Sequence, residues 1–251
     1  MQNRMKSIAI YSLKGGVGKT TIAVSLAWAS AMLSSRRTLL WDLDPQAAAS
    51  FLLGGETGAS EEAKAVFARD VAPSKLVRPT AVERLALLPA DPSLRGLDQM
   101  LFTLGKKKRL EKLLERLGSD HERIILDCPP GLTETSEQVL RAADLIIVPL
   151  IPSPLSQRAF EEVVRFLDSH DIRRSPLLPL YNMVDRRRLI HRAALAANPD
   201  WPVVPMASAI EAMTRHRKPV GAIAPGSAAA LALAALWQGI ERRLAKPVKA
   251  G

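Results

Sequence analysis

The sequence predicts a doubly wound α/β fold, in which one mainly parallel sheet is flanked by helices on both faces. Three observations predict it. Apolar, β-prone runs recur along the 251 residues and are mostly continuous rather than alternating, as strands covered on both sides require. Stretches with helical periodicity separate them, with short links. A glycine-rich turn stands where the first strand gives way to the first helix, the context a phosphate-binding loop needs.

In chain order, strands are expected at residues 7–12, 38–42, 85–89, 123–127, 145–150, 177–184 and 203–205. Helices are expected at 19–33, 109–117 and 156–168. In the second of these, Leu110, Leu113, Leu114 and Leu117 fall on one stripe, the mark of a helix with one buried side. Residues 54–60 (GGETGAS) read as a loop. A last helix is expected at about 227–244, after Pro225-Gly226 and before Pro247. With no internal repeat and no linker, residues 1–251 read as a single domain closed by a C-terminal helix.

Composition sets the class. The chain is 47% hydrophobic and 24% charged, ordinary for a globular protein. The single cysteine, Cys128, excludes an internal disulfide framework and fits a reducing cytoplasm. No run reaches the roughly 18 apolar residues of a membrane span; the longest, 228–237, is about half that. The N-terminal segment has no apolar run long enough for a signal peptide. A cytosolic protein is expected. The four histidines, at 121, 170, 191 and 216, lack metal-ligand spacing, and no G-x-S-x-G elbow is present. The net charge of +10 is unevenly placed, with thirteen Lys and Arg against four Asp and Glu in residues 172–251. Such a face attracts polyanions.

Ligands in such a sheet bind at the carboxyl ends of the strands, and the motifs fall there. SLKGGVGKTT spans 12–21. Glycines at 15, 16 and 18 let backbone amides, with that of Val17, converge on phosphate oxygens, and the helix N-terminus adds partial positive charge. Lys19 is expected to reach the β- and γ-phosphates and Thr20 to hold Mg²⁺, as in a P-loop NTPase. The standard pattern needs one lysine and a leading glycine; here Leu13 takes that glycine's place and a second lysine, Lys14, follows. Aspartates close two further strands, in WDLDPQ (41–46) and ILDCPPG (125–131). A carboxylate opposite a phosphate loop is the Walker B arrangement, which holds Mg²⁺ directly or through water.

These residues resemble the deviant Walker A ATPases of the ParA/MinD group over nearly the whole chain. K-G-G-V-G-K-T-T at 14–21 is that group's loop, through Thr21, and D-L-D-P-Q with D-C-P-P-G is similar to its ParA partition branch. The resemblance implies a role for the extra lysine. Lys14 reaches the nucleotide of a partner subunit, so that ATP becomes part of a homodimer interface. It also implies that Asp44 orients the attacking water, that Asp42 and Asp127 lie near Mg²⁺, and that Gln46 follows the first switch region. Asn182 and the Pro205–Met206 segment are implied to border the adenine. The match thins there: Met206 stands where the family usually carries arginine, and Glu211-Ala212 is one position out of step, while Lys218-Pro219-Val220 matches.

The resemblance further implies slow ATP hydrolysis stimulated by a ParB-like or cargo-adaptor partner, and nucleotide-dependent binding of nucleoid DNA without sequence preference. The basic candidates are Arg186, Arg187, Arg188 and Arg192, then Arg215, Arg217 and Lys218, with Arg242, Arg243 and Lys246 further on. Lys106, Lys107, Lys108 and Arg109 read as a solvated helix start. The cargo remains open among a plasmid, a chromosome and a large protein complex. The competing class is a MinD-like membrane-associated regulator, which needs an interfacial C-terminal helix. The last helix here is alanine-rich and needed to cover the sheet, so membrane binding is not expected. An iron–sulfur relative needs two cysteines per subunit. A separate N-terminal operator-reading domain is not expected, since the first strand begins near Ser7.

Overall fold

The computed structural model describes residues 5–54, 63–68, 71–105, 108–172 and 176–245. Its strands are β1 (Lys6–Ile10), β2 (Thr38–Asp42), β3 (Arg78–Pro79), β4 (Leu85–Leu88), β5 (Arg123–Asp127), β6 (Leu145–Leu150), β7 (Leu177–Val184) and β8 (Val203–Pro205). They form one eight-stranded sheet in the order β3-β4-β2-β5-β1-β6-β7-β8. Only the β3–β4 pair is antiparallel. The doubly wound sheet expected from the sequence is therefore present. All seven expected strands appear, the first ending at Ile10 rather than residue 12. Both residues of β3 are exposed, so no apolar run announces it.

The helices are α1 (Lys19–Leu33), α2 (Ala48–Leu52), α3 (Ala63–Ala68), α4 (Pro73–Leu76), α5 (Leu97–Leu104), α6 (Arg109–Leu117), α7 (Glu134–Ala142), α8 (Pro154–Ser169), α9 (Leu189–Ala197), α10 (Ser208–His216), α11 (Val220–Ile223) and α12 (Ala228–Leu244). Side chains alternate along each strand, and the sheet divides two cores accordingly. Leu39, Trp41, Ile124, Leu126, Ile146 and Val148 join one core, which α3 and α5 to α8 cover. Leu40, Ile125, Ile8, Ile10, Leu145 and Ile147 join the other, under α1, α2 and α10 to α12. Every residue of β2, β5 and β6 is buried, which is why those runs are apolar apart from the end residues Thr38, Asp42, Arg123 and Asp127.

α1 lies between the sheet and α12, and its small residues Ala23, Ser25, Ala27 and Ala29 are all buried. At Gly221 an added Cβ would collide with the Trp28 indole, so α11 needs glycine to approach α1. α12 is held in place by buried Leu233, Trp237 and Ile240, by Trp237 Nε1 donating to Ser34 Oγ at 2.8 Å, and by a bidentate Arg123–Glu241 pair at 2.6 and 3.0 Å. Losing Glu241 would strand a nearly buried guanidinium, a loss of about 3–5 kcal/mol. α8 begins two residues earlier than expected, because Ser153 Oγ accepts from Ser156 N at 3.2 Å and Pro154 fits the first turn. Of the expected loop at 54–60, residues 55–60 lie outside the described residues, as do Lys106, Lys107 and Lys246.

Candidate functional site

The sheet registers decide where the motifs meet. Asp127 pairs with Ile10 on one side and with Asp42 on the other. The carboxyl ends of β1, β5 and β2 therefore finish in line, and the loops leaving them share one end of the sheet. Leu43 N donates to the Asp127 carbonyl at 2.9 Å and Cys128 N to the Ile10 carbonyl at 3.3 Å. Tyr11, buried beneath the glycine loop, donates its hydroxyl to the Gly131 carbonyl at 3.0 Å. That bond ties the first motif to the third, and burial keeps the phenol protonated by pushing its pKa up.

The loop has the shape its glycines predict. Gly16 and Gly18 have φ of 73° and 86°, left-handed values that favour glycine. Nothing lies within 4 Å of a Cβ added at Gly15 or Gly16, so that side of the loop is open to a ligand. Gly18 is different: an added Cβ would strike the Asn182 amide. Leu13, in the place of the usual leading glycine, packs against the core. Lys19 is only 7% exposed, and its ammonium donates to the Lys14 carbonyl at 3.2 Å. Burial lowers its pKa, and Asp127 opposes that shift. Lys14 borders a crevice against α8 with Val17, Ser156 and Phe160. Thr20 and Thr21 occupy the first turn of α1.

Asp127 is the electrostatic centre. It is fully buried, and neither carboxylate oxygen has a hydrogen-bond partner of good geometry. Burial first, and then Asp42, push its pKa well above the ordinary carboxylate range; the Thr20 hydroxyl and the Lys19 ammonium favour the charged form. A buried carboxylate without donors is costly. A hard cation relieves that cost, and Mg²⁺ prefers oxygen ligands such as this carboxylate and the Thr20 hydroxyl. The described residues hold no cluster of three or more His, Cys, Asp or Glu able to cage a metal ion. The donor set thus fits a Mg²⁺ ion that shares its coordination with substrate phosphates and water.

Asp42 is equally buried but is already engaged. Its Oδ1 accepts from Asp44 N at 3.1 Å, and Oδ2 accepts from Ser50 N at 2.9 Å and Ser50 Oγ at 2.8 Å. Burial, with Asp44 as a further cause, raises its pKa to about 6. Asp42 thus anchors the segment running to α2. Asp44 is partly exposed, with Oδ1 accepting from Gln46 N at 2.9 Å. Its carbonyl accepts from Ala47 N at 2.8 Å as the chain turns through Ala47 at φ 54°. Cys128 is fully buried and its thiol pKa is pushed up by burial, so it acts as an apolar filler.

The Asn182 side chain is 2% exposed and donates from Nδ2 to the Val17 carbonyl at 2.8 Å. It thereby braces the phosphate loop, and its Oδ1 has no hydrogen-bond partner. Pro205 pairs with Val184, and Met206 N donates to the Val184 carbonyl at 3.0 Å, leaving the Met206 side chain 55% exposed.

The basic candidates separate by environment. Arg186, Arg187 and Arg188 are exposed on the turn before α9, with Arg192 one turn into the helix. Arg187 is taken up by Asp185, through contacts of 2.9 Å at Nε and 2.9 Å at Nη2. Those hydrogen bonds hold the Asp185 pKa down to about 2. Arg186 and Arg192 line a cavity of about 360 Å³ with Leu195, Trp201 and Val203. Arg215 and Lys218 are exposed around the end of α10. Arg217, at φ 49°, donates from Nε to the Phe51 carbonyl at 2.9 Å, with its guanidinium 4.7 Å above the Phe51 ring. Sequence reasoning missed Tyr11, Ser50, Phe51 and His191. The last is a buried ring whose Nδ1 accepts from Asp185 N at 3.0 Å. None of the four carries a motif; each acts through a contact between distant segments.

Residues 5–175 match the model of the AAA_31 family, described as an AAA domain. The chain belongs to that family. It is 40% identical to the chromosome partitioning protein ParA of Myxococcus xanthus over 148 residues, 57% of this chain and 51% of that one. It is 35% identical to the sporulation initiation inhibitor protein Soj of Bacillus subtilis over 147 residues, 58% of each chain. The chain spans between half and two thirds of the length of these two relatives. Among solved structures, cobyrinic acid a,c-diamide synthase from Mycobacterium smegmatis, with a bound ATP analog and magnesium, superposes with a TM-score of 0.80. It shares 29% identity, over 98% of this chain and 97% of that one.

Proposed function

We propose that residues 1–251 work as a single ParA-like ATPase domain that binds Mg²⁺ and ATP, forms an ATP-dependent sandwich homodimer and binds nucleoid DNA without reading its sequence. Hydrolysis stimulated by a ParB-like or cargo-adaptor protein would then position or segregate a cargo from a cytoplasmic, nucleoid-associated location. The observation that carries the reading is Asp127, a buried carboxylate with no donor, set beside Lys19 and Thr20 at the mouth of an open glycine loop.

The chain's own groups assign the steps. Amides of residues 15–20 and the Lys19 ammonium bind and orient the triphosphate. Mg²⁺, held by Thr20 and Asp127, supplies charge neutralisation at the phosphoryl group. Asp44, on the turn that Asp42 anchors, orients a water for attack on the γ-phosphorus. The water oxygen bonds to the γ-phosphorus as the bond from that phosphorus to the β–γ bridging oxygen breaks; ADP leaves with the bridging oxygen, and the proton lost by the water passes to the phosphate formed or to solvent. Lys14, half-buried beside the loop, is assigned to the nucleotide of a second subunit, where an added cation offsets the repulsion of two facing triphosphates. Exposed arginines on the β7–α9 turn and at the end of α10 contact DNA phosphates, which carry no sequence information.

Against a membrane-bound alternative stands α12, whose apolar residues Leu233, Trp237 and Ile240 are buried in the core. No described helix is long and apolar enough to cross a membrane. Co-sedimentation with DNA and with anionic liposomes, each with ATP and with ADP, tests the proposal. Retention on DNA with ATP alone supports it. Retention on liposomes, or on DNA regardless of nucleotide, contradicts it.

A further inference from the structure

Phe51 is 45% exposed, an odd place for a large aromatic ring next to a nucleotide site. Arg217 accounts for it. The Arg217 guanidinium covers the ring at 4.7 Å, and its Nε donates at 2.9 Å to the Phe51 carbonyl. That carbonyl lies in the last turn of α2 and also accepts from Gly54 N at 3.3 Å. Arg217 also ends α10 in a left-handed conformation, so its backbone direction and its side chain are both fixed.

α2 itself is fastened to the site. Ser50, the residue before Phe51, gives both its amide and its hydroxyl to Asp42, and accepts from Ala90 N at 3.0 Å. Asp44 is linked to the same carboxylate through its amide. On the other side, Met213 in α10 is buried and meets Ser25 Oγ of α1 at 4.0 Å. An unbroken series of contacts therefore runs Asp42–Ser50–Phe51–Arg217, from the turn bearing Asp44 to the basic end of α10. The neighbouring cations Arg215, His216 and Lys218 make no comparable contact with α2.

We infer that Phe51 is the positioning residue through which the nucleotide site sets the direction of Arg217, and with it the nucleotide dependence of DNA binding. The inference rests on the function proposed above. Contiguity alone does not establish coupling. The physical content is that any shift of the segment 44–50 on binding Mg²⁺ and ATP moves the ring on which the guanidinium rests.

The test uses the full chain with Mg²⁺–ATP or Mg²⁺–ADP and two readouts. Hydrogen exchange at residues 213–218 follows the contact without DNA, and anisotropy of a labelled 30-base-pair duplex gives the ratio of DNA affinities in the two nucleotides. In the wild type, exchange at 213–218 differs between nucleotides. Phe51→Ala removes that difference and lowers the affinity ratio about two- to fivefold, the range an exposed cation–π contact supports. Phe51→Tyr restores both. Arg217→Lys keeps the positive charge but loses the planar stack and the Nε bond, so it lowers the ratio as Phe51→Ala does. Wild-type values for exchange and ratio in Phe51→Ala overturn the inference. If the wild-type protein fails to bind DNA with either nucleotide, the proposed function falls, and the exchange readout still decides whether Phe51 couples the two segments.

Discussion

Asp42 and Asp127 sit opposite each other in register on adjacent parallel strands, both completely buried, yet Asp42 accepts three hydrogen bonds while the Asp127 oxygens have no partner of good geometry. Asp42 holds Ser50 and the turn bearing Asp44, and the proposed function assigns the Asp127 oxygens to a cation. Two carboxylates this close disfavour each other's ionisation, so the pair stores an electrostatic cost that a divalent ion relieves.

Asp127→Asn is therefore expected to separate stability from function. Without Mg²⁺ the variant should be more stable than the wild type, on the order of 1–3 kcal/mol, because the cost of burying an ionisable carboxyl beside Asp42 has gone. Its affinity for Mg²⁺–ATP should fall at least tenfold. Thermal denaturation and calorimetric titration check the two halves. A variant both less stable and unimpaired in binding would remove Asp127 from the metal site.

The same pair sets a pH dependence. The folded pKa of Asp42, about 6, lies above its ordinary value of 3.8, so between these values the native state holds more protons than the unfolded chain. Stability in the absence of Mg²⁺ should then rise as pH falls from 7 toward 4, and the gain should be lost as pH climbs through 6. Asp42→Asn should flatten this part of the profile. Melting temperatures at half-unit pH steps provide the comparison, and an unchanged slope in the variant argues against Asp42 as its source.

Asp44→Ala should bind Mg²⁺–ATP with near-normal affinity and hydrolyse it at least a hundredfold more slowly, leaving a persistent ATP form that stays on DNA. Single-turnover hydrolysis measures this. Normal turnover would mean that another group orients the water.

Among the basic residues, the Asp185 ion pair predicts a difference between neighbours. Arg188→Glu, Arg215→Glu and Lys218→Glu should weaken DNA retention, and neutralising each site should reduce the salt slope by about one. Arg187→Ala should do least, and Asp185→Ala should strengthen retention by freeing Arg187. Affinities at four salt concentrations decide it. An Arg187→Ala loss as large as the others would show that the ion pair opens on binding.

How far the sequence announced all this depends on the kind of information involved. Continuous apolar runs located β2, β5 and β6, because strands buried on both faces need nothing else. The glycine loop and the strand-end aspartates were legible because each lies within a few residues of its element. Contacts between distant segments were not. Nothing near Asp42 indicates that Ser50 will donate to its oxygens, and nothing near Asn182 indicates that its amide will donate to the Val17 carbonyl. Both depend on where β7 and α2 come to rest against the first loop. The exposed β3 was silent for the opposite reason, having no apolar side to reveal it.

The central claim is that ATP joins two copies of this chain through Lys14. Light scattering of the purified protein with Mg²⁺–ATP and with Mg²⁺–ADP, alongside Lys14→Ala, tests it most directly. A mass that doubles with ATP only, and a variant that binds ATP but stays at the mass of one chain, is the predicted result. A wild-type protein of unchanged mass when saturated with ATP, or a Lys14→Ala variant that doubles as readily, would contradict it.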